Sequence, residues 1–163
     1  MTYHSLREFI EQLETQNELI RIKDQVSPIL EISEITDRVS KQDGGGKALL
    51  FENVKDSNIP VLINAFGSTK RTNLALGVQS IEKIPNDIEK YIKIVPPSSL
   101  LEKIKLLPML LEAAAFPPKI VSANQALCQE IVYSGDDVDL EKIPILQCWP
   151  SDAGRFITFP IVI

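Results

Sequence analysis

The first apolar stripe opens the chain. Leu6, Phe9, Ile10 and Leu13 recur at i, i+3, i+4 and i+7, which predicts a helix over 5–16 with Phe9 and Leu13 in the core. Ser5, followed three residues later by Glu8, is a capping-box pattern at its start, and Asn17 suits its stop. Leu19 to Lys23 is short and rich in β-formers, so it reads as a strand. Ser27-Pro28 predicts the opening of a second helix, because proline suits the first helical turn. Ile32, Ile35 and Val39 form its buried face, and Gly44-Gly45-Gly46 ends it. Ala48 to Phe51 and Pro60 to Asn64 are apolar runs between turn residues, hence strands. Ser68 caps a short helix through Leu76, with Gly77 just past its end. Helical patterns follow over 81–94 and 98–115, parted by Pro96-Pro97, and Pro108 is expected to kink or split the second.

The pattern changes at Pro117-Pro118. Cys128 to Tyr133, Ile145 to Trp149 and Phe156 to Ile163 read as extended segments, and Ser134 to Asp137 as a turn. The expected fold class is α+β: a mixed α/β N-terminal domain over 1–116, then the β-rich beginning of a second domain over 117–163. The last strand has neither turn nor cap behind it, so the chain is expected to stop inside that second domain. The sequence holds no internal repeat and no low-complexity tract.

Composition narrows the classes. With 163 residues the chain has enough length for a core; a domain of this size buries about two-thirds of its unfolded surface. Lys plus Arg number 17 against 22 Asp plus Glu, a net charge of −5, and no basic stripe is visible, which weighs against nucleic acid as the partner. No apolar run approaches the ~20 residues of a membrane helix. The start lacks the apolar region of a secretory signal and is acidic by Glu8. His4 is the single histidine, which excludes most zinc sites, and Cys128 and Cys148 stand too far apart for a metal or redox pair. Reduced thiols and a cytoplasmic location are the plain expectation.

Five features invite chemistry. Gly44-Gly45-Gly46-Lys47 suggests a phosphate loop, but that pattern needs glycine at position 41 and Ser or Thr after the lysine; Lys41 and Ala48 stand there, so a helix stop is the better reading. Asp136, Asp137, Asp139 and Glu141 offer oxygens to a hard cation, but without a calcium loop's spacing they read as a solvated turn. His4, just before a helix cap at a terminus, is poorly placed as a general base. Cys148 has no second histidine to activate it and reads as a small buried thiol. Trp149-Pro150-Ser151-Asp152-Ala153-Gly154 is the most distinctive stretch. It is either a packed indole anchoring a strand connection or a loop at the mouth of a cofactor site, and the residues alone leave both readings open.

Four blocks in order carry a resemblance. SLREFIEQLETQNELIRI, residues 30–54 (LEISEITDRVSKQDGGGKALLFENV), residues 59–77 (IPVLINAFGSTKRTNLALG) and residues 134–158 (SGDDVDLEKIPILQCWPSDAGRFIT) resemble the UbiD-type carboxy-lyases, decarboxylases that use prenylated flavin mononucleotide (prFMN). The Asp152-Ala153-Gly154-Arg155-Phe156 wording leans toward the menaquinone branch rather than the ubiquinone one. The resemblance implies an N-terminal α/β domain, the first strands of a split β-barrel that binds the flavin, and several hundred further residues that hold the metal-binding asparagine, the arginine and glutamates of the acid–base network, and a dimerising C-terminal domain. It implies prFMN and Mn²⁺ in the whole enzyme and neither bound to this stretch, an aromatic or α,β-unsaturated acid as substrate, and a homo-oligomer. It carries over no catalytic and no metal-ligating residue. Thr158, whose hydroxyl suits a polar flavin group, is the one cofactor contact it suggests; a β-branched residue filling a strand is the bland alternative. Two other classes stay open: a non-catalytic assembly module built on residues 1–116, and a flavin-reductase-like binding module. A flavin absorbance spectrum separates both from the enzyme.

Overall fold

A computed structural model of the chain describes residues 3–92, 104, 107–108, 110–111, 114, 118 and 120–158. Helix α1 (Leu6–Thr15) is capped by the Ser5 hydroxyl, which accepts from the Glu8 N–H. The Glu8 carboxylate reaches back to the His4 N–H, one residue earlier than a strict capping box requires. Strand β1 (Leu19–Ile22) follows, then α2 (Glu31–Ser40), β2 (Ala48–Phe51), β3 (Val61–Ile63), α3 (Thr69–Leu76) and α4 (Lys83–Ile92).

The sheet order is β1-β2-β3, with β1 parallel and β3 antiparallel to β2. A parallel pair needs a crossover, and α2 supplies it. The pleat sends Ala48 and Leu50 to one face of β2 and Leu49 and Phe51 to the other, so this strand is buried on both sides. On one face Phe9 and Leu13 of α1 pack with Leu19, Leu50 and, from α3, Leu74 and Ala75. On the other, Ile32, Ile35 and Val39 of α2 pack with Val26, Phe51 and Val54. Phe9, Leu13 and the α2 face are therefore in place, while Leu6, the first residue of the α1 stripe, is exposed because α1 meets the sheet only from Phe9 onward. Helix α3 starts and stops at the residues its signals named: the Ser68 hydroxyl accepts from the Arg71 N–H, and Gly77 takes the left-handed conformation at φ 65°.

Helix α2 begins three residues later than Ser27-Pro28 suggests. The Pro28 carbonyl accepts from Gln147 N–H (3.1 Å) and the Gln147 carbonyl accepts from Leu30 N–H (2.9 Å), so this segment is recruited into a parallel bridge instead of a helical turn. The chain then enters the helix through a tight γ-turn: Glu31 N–H donates to the Ile29 carbonyl (2.8 Å), with Leu30 at φ 65°. The helix also ends at Ser40, before the glycines, which form a separate 3₁₀ turn at Asp43–Gly45.

By contacts the chain forms two units, Met1–Ile84 with Asp139–Ile163, and Pro85–Val138. The second holds most of α4 and the 3₁₀ turns Ala123–Gln125, Leu127–Gln129 and Gly135–Asp137. Cys128 to Tyr133 is thus not a strand: it starts in a 3₁₀ turn and continues as an unpaired bend. Phe156 to Thr158 is likewise irregular, and Ile145 to Trp149 is extended with one bridge, Ile29 to Gln147. An apolar run becomes a strand only when another edge pairs its N–H and C=O groups, and among the described residues no ladder reaches these segments. The described positions within 98–115, Pro108 among them, are helical, while the neighbours at 105, 106 and 109 that a kink at Pro108 would involve, residues 115–117 at the expected boundary and residues 159–163 lie outside the described residues.

Candidate functional site

The glycine loop is a structural clasp. Arg71, wholly buried, donates to the carbonyls of Gly46 (2.6 Å) and Gly45 (3.4 Å) and pairs with Glu18 (2.9 Å), which also holds Lys70. Asn64 Nδ2 donates to the Gly45 and Lys47 carbonyls, both at 2.9 Å. The loop therefore turns carbonyls toward donors, the reverse of a phosphate cradle, whose N–H groups must face the anion. Gly45 sits at φ 85°, and a Cβ there would overlap the Gly67 carbonyl oxygen, so only glycine fits. Burial pushes the Glu18 carboxyl up, but hydrogen bonds from Lys70 and Arg71 and their charges hold it below its ordinary value. Sequence reading passed over Arg71. Its signal was present: Arg71, Leu74 and Ala75 stand at i, i+3 and i+4, which places the cation on the apolar face of α3.

The Trp149 turn is the second constellation. One oxygen of Asp152 accepts from the N–H groups of Trp149 (2.8 Å) and Cys148 (3.2 Å), while Asp152 N–H donates to the Trp149 carbonyl (3.1 Å). Phe156 N–H returns to the Leu146 carbonyl (3.3 Å), closing the loop on itself. Bridge residue Gln147 pins its leading arm to Pro28 and Leu30. The indole is not packed: Trp149 is 61% exposed, and with Cys148 and Pro150 it borders a groove of about 550 Å³ against Ile29 and α2. Cys148 is half-buried rather than enclosed. Glu31, Glu34 and Asp37 line the groove without a basic residue among its walls, so it does not suit an anionic ligand.

Past the turn, Arg155, Phe156, Ile157 and Thr158 are all exposed. Among the described residues Arg155 makes no ion pair. This short run offers two apolar side chains and a hydroxyl that suit a flavin ring, while Arg155 borders a hollow with Lys142 and with Asp56, Asp139 and Glu141, whose carboxylates compete for its charge. Thr158 lies in a bend and not in a strand. The acidic cluster is a solvated turn: Asp139 accepts from Glu141 N–H (2.9 Å) and all four residues are exposed. Among the described residues no three His, Cys, Asp or Glu converge as a metal site. His4 is exposed. No helix of the described residues is long and apolar enough to cross a membrane.

Comparison with known proteins gives the fold and the Trp149 turn a family context. Residues 10–89 match the 3-octaprenyl-4-hydroxybenzoate carboxy-lyase N-terminal domain, and residues 119–163 match the Rift-related domain of the same carboxy-lyase. The chain belongs to the UbiD family, as its N-terminal portion. It is 51% identical to an uncharacterised protein of Aquifex aeolicus and 48% identical to one of Archaeoglobus fulgidus, matching over 99% and 100% of its own length but 32% of each of theirs. The chain thus spans about a third of the length of these curated relatives. Among solved structures it superposes on vanillic acid decarboxylase of Sedimentibacter hydroxybenzoicus in open form, with TM-score 0.71 and 25% identity over 95% of this chain and 30% of that one. It also superposes on an evolved dimeric form of the UbiD-class enzyme HmfF of Pelotomaculum thermopropionicum in complex with prFMN, with TM-score 0.66 and 28% identity over 96% of this chain and 31% of that one.

Proposed function

We propose that this chain is the N-terminal part of a prFMN-dependent decarboxylase that removes CO₂ non-oxidatively from an aromatic or α,β-unsaturated acid. The observation that supports this reading is the ordered pair of family matches over 10–89 and 119–163, joined to the superposition on a vanillic acid decarboxylase. A 3-polyprenyl-4-hydroxybenzoate-like acid of quinone biosynthesis is the substrate we assign. In this reading residues 1–116 form the N-terminal domain and 117–163 open a split β-barrel, a division that falls between the two family matches. The protein acts in the cytoplasm as a homo-oligomer assembled through the region C-terminal to this stretch.

Bound prFMN supplies an electron sink for the charge left when CO₂ departs. The residues here would hold and not react: the Thr158 hydroxyl would meet a polar flavin group, and Phe156 and Ile157 would offer it apolar contact. In this reading the Mn²⁺ ligands lie C-terminal to this stretch. The isolated 163-residue chain is accordingly inert, since the acid that protonates the product carbon is not among its residues. Absorbance titration with prFMN and Mn²⁺, followed by a CO₂ assay on aromatic acids, tests this. The expected result is turnover by the intact protein, and neither stoichiometric binding nor turnover by the 163-residue chain. Tight binding or turnover by that chain overturns its inertness, and an intact protein without turnover on any such acid overturns the decarboxylase reading.

A further inference from the structure

One side chain, Asp152, ties the head of the Trp149 turn. Asp152 satisfies the N–H groups of both Cys148 and Trp149 with a single carboxylate oxygen, in a turn whose tail becomes Arg155–Thr158. The leading arm is already fixed, because Gln147 is bridged to Pro28 and Leu30. Leu30 holds a positive φ that a branched side chain adopts only under strain, and strain of this kind persists where surrounding contacts enforce it. Among the described residues the trailing arm has one backbone tie, Phe156 to Leu146 at 3.3 Å. Between these two arms the Asp152 carboxylate is the side chain that ties the head of the turn together.

We propose that Asp152 is a positioning residue: by clamping the Cys148 and Trp149 amides it aims the Arg155–Thr158 segment at the cofactor, without touching the cofactor itself. The proposal rests on the reading that Thr158 contacts prFMN. Displacing a binding segment by about 1 Å lowers performance by up to ~100-fold in well-aligned sites. Oriented support groups lose about tenfold or more when removed.

The test uses the intact protein and four variants: Asp152→Ala, Asp152→Asn, Thr158→Val and the double variant Asp152→Ala/Thr158→Val. Two readouts are taken, the prFMN dissociation constant by absorbance titration and amide hydrogen exchange at Cys148 and Trp149. Asp152→Ala is expected to weaken prFMN binding about tenfold, to speed exchange at those two amides, and to add little once Thr158 is already Val, because both changes disable one contact. Asp152→Asn keeps one acceptor oxygen and is expected to fall between wild type and Asp152→Ala. It carries the test by itself if the alanine variant loses protection throughout the domain. Unchanged prFMN affinity in Asp152→Asn and Asp152→Ala, or effects that simply add to those of Thr158→Val, overturns the positioning role. A wild-type protein that binds no prFMN, or binds it equally well as Thr158→Val, overturns instead the reading on which the proposal rests.

Discussion

Ala48–Phe51 and Ile131–Tyr133 are both short apolar runs rich in strand formers, and they end in opposite states. The first is buried at all four positions and paired on both edges. In the second Ile131, Val132 and Tyr133 are 71%, 76% and 67% exposed and carry no ladder. Residue type is nearly the same, so the difference lies in the backbone. β2 has a parallel neighbour delivered by the α2 crossover and an antiparallel one delivered by a turn. Among the described residues nothing offers 131–133 an edge. Apolar content makes a segment eligible for burial, and paired N–H and C=O groups decide whether it is buried.

The largest break in that comparison is Phe51→Ala. Phe51 is wholly buried between β2 and α2, and its truncation is expected to cost about 3–5 kcal/mol in urea melts of the intact protein. A loss under ~1 kcal/mol would remove β2 from the core. Next is Glu18→Ala, which leaves the buried Arg71 guanidinium without its carboxylate and is expected to cost roughly 3 kcal/mol. The pH dependence sharpens this. Because the folded Glu18 carboxyl lies below its ordinary value, its contribution is complete above the ordinary carboxylate range and is lost as pH falls through the depressed native value. The urea midpoint of wild type should therefore drop on acidification more steeply than that of Glu18→Gln. Ser68→Ala removes the cap of α3 and should cost about 1 kcal/mol by the same melts. At the bottom stands Val132→Ser, expected to change stability by no more than ~0.5 kcal/mol. A cost near that of Phe51→Ala would show that 131–133 is packed and that the contrast is false.

The sequence signals that proved legible were local ones. Ser5 and Ser68 are caps whose hydroxyls need only the next helical turn, Gly77 is a stop that needs only a positive φ, and β2 was bounded by its own composition. What escaped depends on distant partners. Pro28 carries a helix-start signal, but Gln147 recruits its carbonyl from 119 residues along the chain. Asp152 looked like one polar residue among several in a turn, since nothing in its type says which amides it will accept from. Arg71 was readable in principle from its place on an apolar helix face, but the carbonyls and carboxylate that justify burying it come from β1's approach and the glycine loop. The glycine loop obeys the same rule: its spacing alone excludes a phosphate loop, and the structure adds that its carbonyls are occupied by cationic and amide donors.

Strand β2 is shared by both apolar clusters, with Ala48 and Leu50 in one and Leu49 and Phe51 in the other. A common wall leaves neither cluster a way to melt alone: when one dissolves, the other loses half of its floor. The α1–α3 side and the α2 side should therefore behave as one cooperative unit, with coincident transitions whichever face is watched. For evolution this is a constraint with a direction. Substitutions on the outer helix faces can accumulate independently, whereas a change of volume at any position of β2 is felt on both sides at once and calls for compensation across the whole domain.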